Sequence, residues 1–384
     1  MAIKKRKLQK KWFSAPAEVQ QLESRTLPTG IVTASVSAAF DVSLLGDNGN
    51  NEVHVDIDGG LLKLTGQNGT SIKVGNVVTP AGTAVTLPNA LFRDLNVSLG
   101  NGNDSFTTNI DEAIVFRTVN VNMGSGNDTL ALDTSAAVTL TGSLLVRGEK
   151  GNDFVRVSAS AGLTIAGSLG INTGAGNDQV ALVDTFKFNA VVGPTTAATI
   201  TQLDAVIDDT LFAGNQNITV TGDINVFTEA GADSVALLGV EAGRDILVNM
   251  GNSDGEATLA SNVRAGRNLG FANGDYHSLN NLFAGQYFGI RSGAGNDVVL
   301  LDNLSAGKNI DIYLGGGNDS ISLGAGVAAT GNIRVEGEAG KDQIKVAAGV
   351  TGLFKKFEGN NINEAAQLTN IVNRLILEGL LPVF

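Results

Sequence analysis

Gly124-Ser125-Gly126-Asn127-Asp128-Thr129-Leu130-Ala131-Leu132 returns as Gly174-Ala175-Gly176-Asn177-Asp178-Gln179-Val180-Ala181-Leu182, and again as Gly315-Gly316-Gly317-Asn318-Asp319-Ser320-Ile321-Ser322-Leu323. With weaker copies counted, a Gly-x-Gly-Asn-Asp turn between two alternating apolar runs occurs ten or eleven times. Asp104, Asp128, Asp153 and Asp178 stand 24, 25 and 25 residues apart. The phase resumes at Asp233, passes eroded copies at Asp254-Gly255 and Gly274-Asp275, and continues at Asp297, Asp319 and Asp342 with spacings of 22 and 23. A second marker keeps step with the first: Gly142, Gly167, Gly222, Gly243, Gly266, Gly285, Gly307 and Gly331 each follow Ala or Thr.

Two turn positions locked to one period predict one rung per repeat, each with two or three short strands. A unit this short cannot bury its own apolar face, so neighbours must stack. Equivalent strands then pair in parallel about 4.8 Å apart. The fold class expected is all-β, a parallel β-helix (solenoid) of about 22–25 residues per rung. Ile321 and Leu323 point inward and Ser320 and Ser322 outward. Glycine supplies positive φ at the corners, and asparagine tolerates the left-handed region.

The period also divides the chain. Residues 1–30 read as a basic leader, a disordered tail, and 31–95 as a β-rich N-terminal cap. Within that cap Val53–Ile57 and Leu61–Leu64 flank Asp58-Gly59-Gly60 as a hairpin. The repeats occupy 96–358, interrupted at about 184–217, where Ile200, Leu203, Val206, Ile207 and Leu211 form either a helical stripe or a divergent rung with a long loop. Residues 359–384 are expected to form a capping helix and tail. Leu368, Ile371, Val372, Leu375 and Ile376 follow helical spacing, and Asn361 and Glu364 are placed as a capping box. The alternative for this end is a C-terminal secretion signal.

The net charge of −12 hides an asymmetry: seven Lys/Arg against Glu18 and Glu23 give the leader +5 and leave −17 on the remainder. An acidic body argues against nucleic acid and suits cations. The absence of cysteine removes disulfides, thiolate metal sites and cysteine nucleophiles. No stretch is long and apolar enough to span a bilayer, and Trp12–Ala17 is too short for the apolar core of a signal peptide. Val19-Gln20-Gln21-Leu22-Glu23-Ser24-Arg25 resembles the Leu-Glu-x-Arg leader that follows a Lys/Arg-rich start in many large exported proteins of planctomycete-type bacteria. That resemblance implies an extracellular or cell-surface address.

The Gly-x-Gly-Asn-Asp-x-apolar segments resemble the RTX (hemolysin-type) repeat family, whose nonapeptide binds Ca²⁺ in a parallel β-roll. Carried over by position, the resemblance nominates Asp104, Asp128, Asp153, Asp178, Asp297, Asp319 and Asp342 as calcium ligands, helped by backbone carbonyls of the Gly-rich turn. Ca²⁺ takes six to eight oxygens, which stacked turns supply. The departure is that one motif occurs per 22–25 residues, so only one edge can be loaded, and Lys150 and Lys341 place positive charge in two of the turns. The competing reading is a metal-free corner in which Asn and Asp bond their own turns and ladder from rung to rung.

Catalysis on polysaccharides is open to a β-helix. Such an enzyme requires clustered carboxylates with Arg or Lys and aromatic platforms. Here Trp12 lies in the leader, the tyrosines number three, and Arg147, Arg291 and Arg334 are scattered in phase. The sequence, with the RTX resemblance, therefore leads to a non-enzymatic, exported structural or adhesion-type β-helix protein that binds calcium at its stacked Gly-x-Gly-Asn-Asp turns, with cell-surface or matrix components as its partners. A carbohydrate-active lyase or hydrolase and a metal-free spacer stand as alternatives.

Overall fold

The computed structural model describes residues 30–87, 93–183, 217–353, 355–358 and 361–362. These residues are all-β, with no helix among them. The leader, the interruption at 184–216 and the C-terminal stripe lie outside the described residues.

The chain passes alternately through two sheets. In the first, twelve strands from Val42–Leu45 to Lys355–Glu358 pair in parallel in repeat order. Register holds from copy to copy: Val119 pairs with Leu144, Leu144 with Leu169, and Leu169 with Ile224. The second sheet does the same, with Leu130 beside Val155, Val155 beside Val180 and Val180 beside Val235. The in-register parallel pairing expected from the period is thus observed in both sheets.

Alternation decides what each strand buries. In Thr118–Asn122, Val119 and Val121 are buried while Thr118, Asn120 and Asn122 are not. The inward residues of both sheets join one apolar cluster that runs from Val32 to Val350. Each fully buried Leu, Ile or Val contributes about 1.5–3 kcal/mol, so every added repeat brings its own share of core. Outward charges tie neighbouring repeats: Arg156 forks onto Asp133 (3.0 and 2.5 Å), and Arg244 reaches Asp223 at 3.4 Å.

The second glycine marker has a steric origin. A Cβ on Gly285 or Gly307 would lie 2.1 Å from the carbonyl oxygen of the equivalent glycine one repeat earlier. In early repeats the second sheet receives two short strands, such as Thr129–Thr134 and Val138–Leu140. In Ser234–Ala242, Ala257–Ala265, Tyr276–Ala284 and Val298–Ala306 these fuse into nine-residue strands. Gly239, Asn262, Asn281 and Asn303 bend them with φ of 47–67°. The three asparagines form an amide ladder, Asn281 Nδ2 donating to Asn262 Oδ1 (3.4 Å) and Asn303 Nδ2 to Asn281 Oδ1 (3.1 Å).

At the N-terminal end the expected hairpin is present: Val53–Ile57 pairs antiparallel with Leu62–Gly66. Gly59 (φ 60°) and Gly60 (φ 73°) make the turn that type I′ geometry requires. The other end corrects an expectation. Asn361, assigned as the start of a helix, lies in the strand Asn361–Ile362, which pairs parallel with Gln343–Ile344. An open sheet edge offers backbone partners immediately, and that outweighs a capping box read from side chains alone.

Candidate functional site

Each Gly-x-Gly-Asn-Asp turn joins a strand of the first sheet to one of the second, so the turns stack along one edge. Gly126 and Gly176 have φ of 146° and 150°, and a Cβ on either would lie 1.6–1.8 Å from the carbonyl oxygen of the glycine below. The residue between the glycines bridges its counterparts in parallel, Asn101 to Ser125 to Lys150 to Ala175. Lys150 and Lys341 are exposed.

The Asn and Asp side chains bond in opposite directions. Asn Oδ1 accepts the backbone N–H of the following repeat: Asn127 from Asn152 (2.8 Å), Asn152 from Asn177 (2.8 Å) and Asn296 from Asn318 (2.8 Å). Asp Oδ1 accepts from the preceding repeat: Asp128 from Asp104 (2.7 Å), Asp153 from Asp128 (2.9 Å), Asp178 from Asp153 (2.8 Å), Asp319 from Asp297 (2.9 Å) and Asp342 from Asp319 (3.2 Å). All seven nominated aspartates therefore share one structural position, and each is at most 2% exposed. Asp233, absent from the nominated set, occupies it too, accepting from Asp178 at 2.8 Å. Its turn, Ala230-Gly231-Ala232-Asp233, had kept the second glycine and the aspartate as the available signal.

The second carboxylate oxygen defines the chemistry of the corner. Oδ2 of Asp104, Asp128, Asp153 and Asp319 is buried without a hydrogen-bond partner and both oxygens of Asp297 are, whereas the carboxyls of Asp178 and Asp233 have the hydroxyls of Thr173 and Thr228 beside them. The degenerate first copy shows what that position faces. There Asn51 replaces the aspartate, and its Nδ2 donates to the carbonyls of Gly49 (2.7 Å), Leu99 (3.1 Å) and Asp47 (3.3 Å). Gly46, five residues before Asn51, looks onto the Leu99 carbonyl and Asn51 Nδ2; Gly148, five before Asp153, looks onto the Thr173 carbonyl and Asp153 Oδ2. Asp153 Oδ2 thus stands where Asn51 carries a donor. An ionised carboxylate there sets acceptor against acceptor, whereas a proton on Oδ2 restores the amide's pattern.

Burial pushes these acids upward in the same sense. Asp104, Asp128 and Asp233 rise to about 6, Asp297 to about 7 and Asp153 to about 8, with Asp178 and Asp319 also raised. The accepted backbone N–H opposes the shift, and neighbouring carboxylates such as Asp128 and Asp178 around Asp153 add to it.

The regular bonding lapses over two successive levels: Glu256 takes the aspartate position at the first, and the turn is shortened at the second. Between Asn273 and Tyr276 the turn shrinks to Gly274-Asp275, so no Asn–Asp pair is present at that level. Its neighbours there are Glu256, buried and raised to about 7 by burial, and Asp297, which has lost its donor from the preceding repeat. His277 follows, fully buried in the position held by Val299 one repeat later, and burial lowers it to about 4. The other histidine, His54, lies at the N-terminal hairpin between Thr107 Oγ1 (2.8 Å) and Asp56 Oδ1 (3.0 Å). Among the described residues no three acidic or histidine side chains converge on one point as a metal site. No protein-family model, curated protein or solved structure matches the chain.

Proposed function

We propose that the chain winds as a parallel β-helix and acts as a non-enzymatic, exported scaffold, a stiff acidic rod of structural or adhesion type on or outside the cell. The observation that carries this reading is the register. Twelve successive strands of one sheet and their partners in the other hold the same pairing, over one apolar cluster from Val32 to Val350. In such an array each unit leans only on its neighbours, so length and stiffness are what the sequence encodes. The outward arginines support it as well: those paired to Asp133 and Asp223 serve as struts between repeats. The motif side chains are engaged in zipping turns together, which favours a corner whose aspartates keep their protons.

Small-angle X-ray scattering on the full chain tests the rod. Twelve repeats at about 4.8 Å give a stack roughly 60 Å long. A compact scattering envelope with no long axis sinks the proposal.

A second reading, Ca²⁺ at the corners, draws on the RTX resemblance and on the orphaned Oδ2 atoms. A divalent cation between successive turns neutralises carboxylates that otherwise need protons, with Asp104, Asp128, Asp153, Asp178, Asp297, Asp319 and Asp342 and turn carbonyls as its oxygens. Thermal melts in EDTA and in millimolar Ca²⁺ separate the two. A rise that Mg²⁺ does not reproduce supports calcium, and superimposable melts leave the protonated corner.

A further inference from the structure

Two glycines of the first sheet answer to no backbone requirement. Gly270 and Gly289 lie within the strands Leu269–Ala272 and Phe288–Arg291 and pair with each other. Neither has positive φ, and a Cβ would meet nothing closer than Leu247 Cδ1 at 3.6 Å for the first and the Asp311 carbonyl at 3.7 Å for the second. Their neighbours Leu269, Phe271, Phe288 and Ile290 are buried, so both face outward. Mid-strand glycine forfeits packing and β propensity, and it recurs where a ligand or another backbone comes close to the sheet.

The surroundings of this bare floor are specific. Arg291 follows Gly289 by two residues in the same strand and so shares its face, and Tyr287 immediately precedes that strand, its carbonyl accepting from the Leu269 N–H (3.0 Å). Tyr287 is 42% exposed, with Lys308 Nζ 5.1 Å from its ring centre. Arg291 stacks 5.2 Å from the ring of Tyr313 on the next repeat, and Arg334 lies 5.1 Å from the same ring. Arg334 is compensated: it bonds Glu336 and the Tyr313 hydroxyl (2.9 Å), with Asp311 also nearby. Arg291 and Lys308 form no ion pair among the described residues, Lys308 Nζ donating to Gln286 Oε1 (3.4 Å), while Asp311, the register partner of Gly289, places one carboxylate on the same face. Two cations outside any ion pair, each near a tyrosine ring, thus stand beside a bare strip of backbone that carries one carboxylate, Asp311, on a chain of net charge −12.

We propose that this face binds an acidic polysaccharide, a uronate-bearing chain lying over Gly270 and Gly289. A pyranose ring packs its apolar face on Tyr287, and carboxylates meet Arg291 and Lys308. Guanidinium matches carboxylate in a planar fork, and the ammonium adds a point charge. The glycines admit the sugar ring to a depth that any side chain would deny. The proposal names the partner class for the adhesion reading and rests on it.

Isothermal titration calorimetry of the full chain with polygalacturonate oligomers in EDTA tests it, with dextran as the neutral control. Binding to polygalacturonate that weakens with salt, and none to dextran, is expected. Gly289→Thr has room for its Cβ and keeps the fold by circular dichroism, yet fills the floor and lowers affinity about tenfold or more. The Arg291→Ala/Lys308→Ala double variant loses at least as much. Failure of the wild type to bind, equal binding of dextran, or wild-type affinity in Gly289→Thr overturns the proposal. Scattering from the same samples keeps the two readings apart: a rod that ignores the glycan removes only this one.

Discussion

Replacing Asp153 by Asn changes one atom type at the corner and exposes what the carboxyl carries. Oδ1 keeps its bond from the Asp128 N–H, and the amide nitrogen takes the place of Oδ2, facing the Thr173 carbonyl as Asn51 Nδ2 faces that of Leu99. Burial holds Asp153 at about 8 against an ordinary 3.8. As pH rises from about 4 towards 8 the unfolded chain releases a proton that the folded chain retains, and wild-type stability falls by about 1.4 kcal/mol per unit from this group. Asp153→Asn has no such loss. The variant should match wild type near pH 4 and lead it by up to about 4 kcal/mol near pH 7, an upper bound that any relaxation around the charge reduces. Urea midpoints by far-UV circular dichroism in EDTA, at about pH 4, 6 and 8, read the gap. A gap that does not widen with pH, or a variant weaker throughout, shows that the folded carboxyl is ionised and refutes the protonated corner. In millimolar Ca²⁺, a wild type that overtakes the variant assigns that charge to a cation.

Gly176→Ala places a Cβ 1.8 Å from the Gly151 carbonyl at φ 150°, and should cost more than about 3 kcal/mol, seen as loss of soluble protein or a collapsed urea midpoint. Asn127→Ala removes the acceptor for the Asn152 N–H and should cost about 1 kcal/mol, with faster hydrogen exchange at the Asn152 amide as its local signature. His277 has the opposite sign to the aspartates. Held at about 4 by burial, it draws stability down by about 1.4 kcal/mol per unit as pH falls from about 6.5 towards 4. His277→Val should therefore gain on wild type across that window and show no such gain between about pH 7 and 8, measured by the same denaturation series.

The period was legible because turns obey local rules: glycine where the backbone must enter the left-handed region, apolar residues at every second strand position. The orientation of the aspartates was less so. By parity Asp128 falls on the same side as Leu130 and Leu132, but a carboxylate in an apolar file reads as a turn residue facing solvent or metal. Only the structure shows that the carboxyls turn inward as a buried file, and only the contacts of Asn51 show what Oδ2 faces there. The eroded copies hid another adjustment. Past Ser234 the two short strands of the early repeats give way to single strands bent at left-handed Asn262, Asn281 and Asn303, a change that no turn motif records. Asn361 misled for a related reason, since its capping pattern is local and the waiting sheet edge is not.

The opposed directions of the Asn and Asp bonds make each repeat interchangeable. Asn127 gives its oxygen to the residue above, Asp153 gives one to the residue below, and nothing in either bond depends on which copy supplies the partner. Excising residues 129–153 as one unit joins Asp128 to Phe154 and lets the Asp128 N–H meet Asp178 in place of Asp153. Unequal crossing-over within such a gene shortens or extends its product by whole increments of the same height. The molecule is in that sense a ruler whose divisions can be added or removed without rewriting the others.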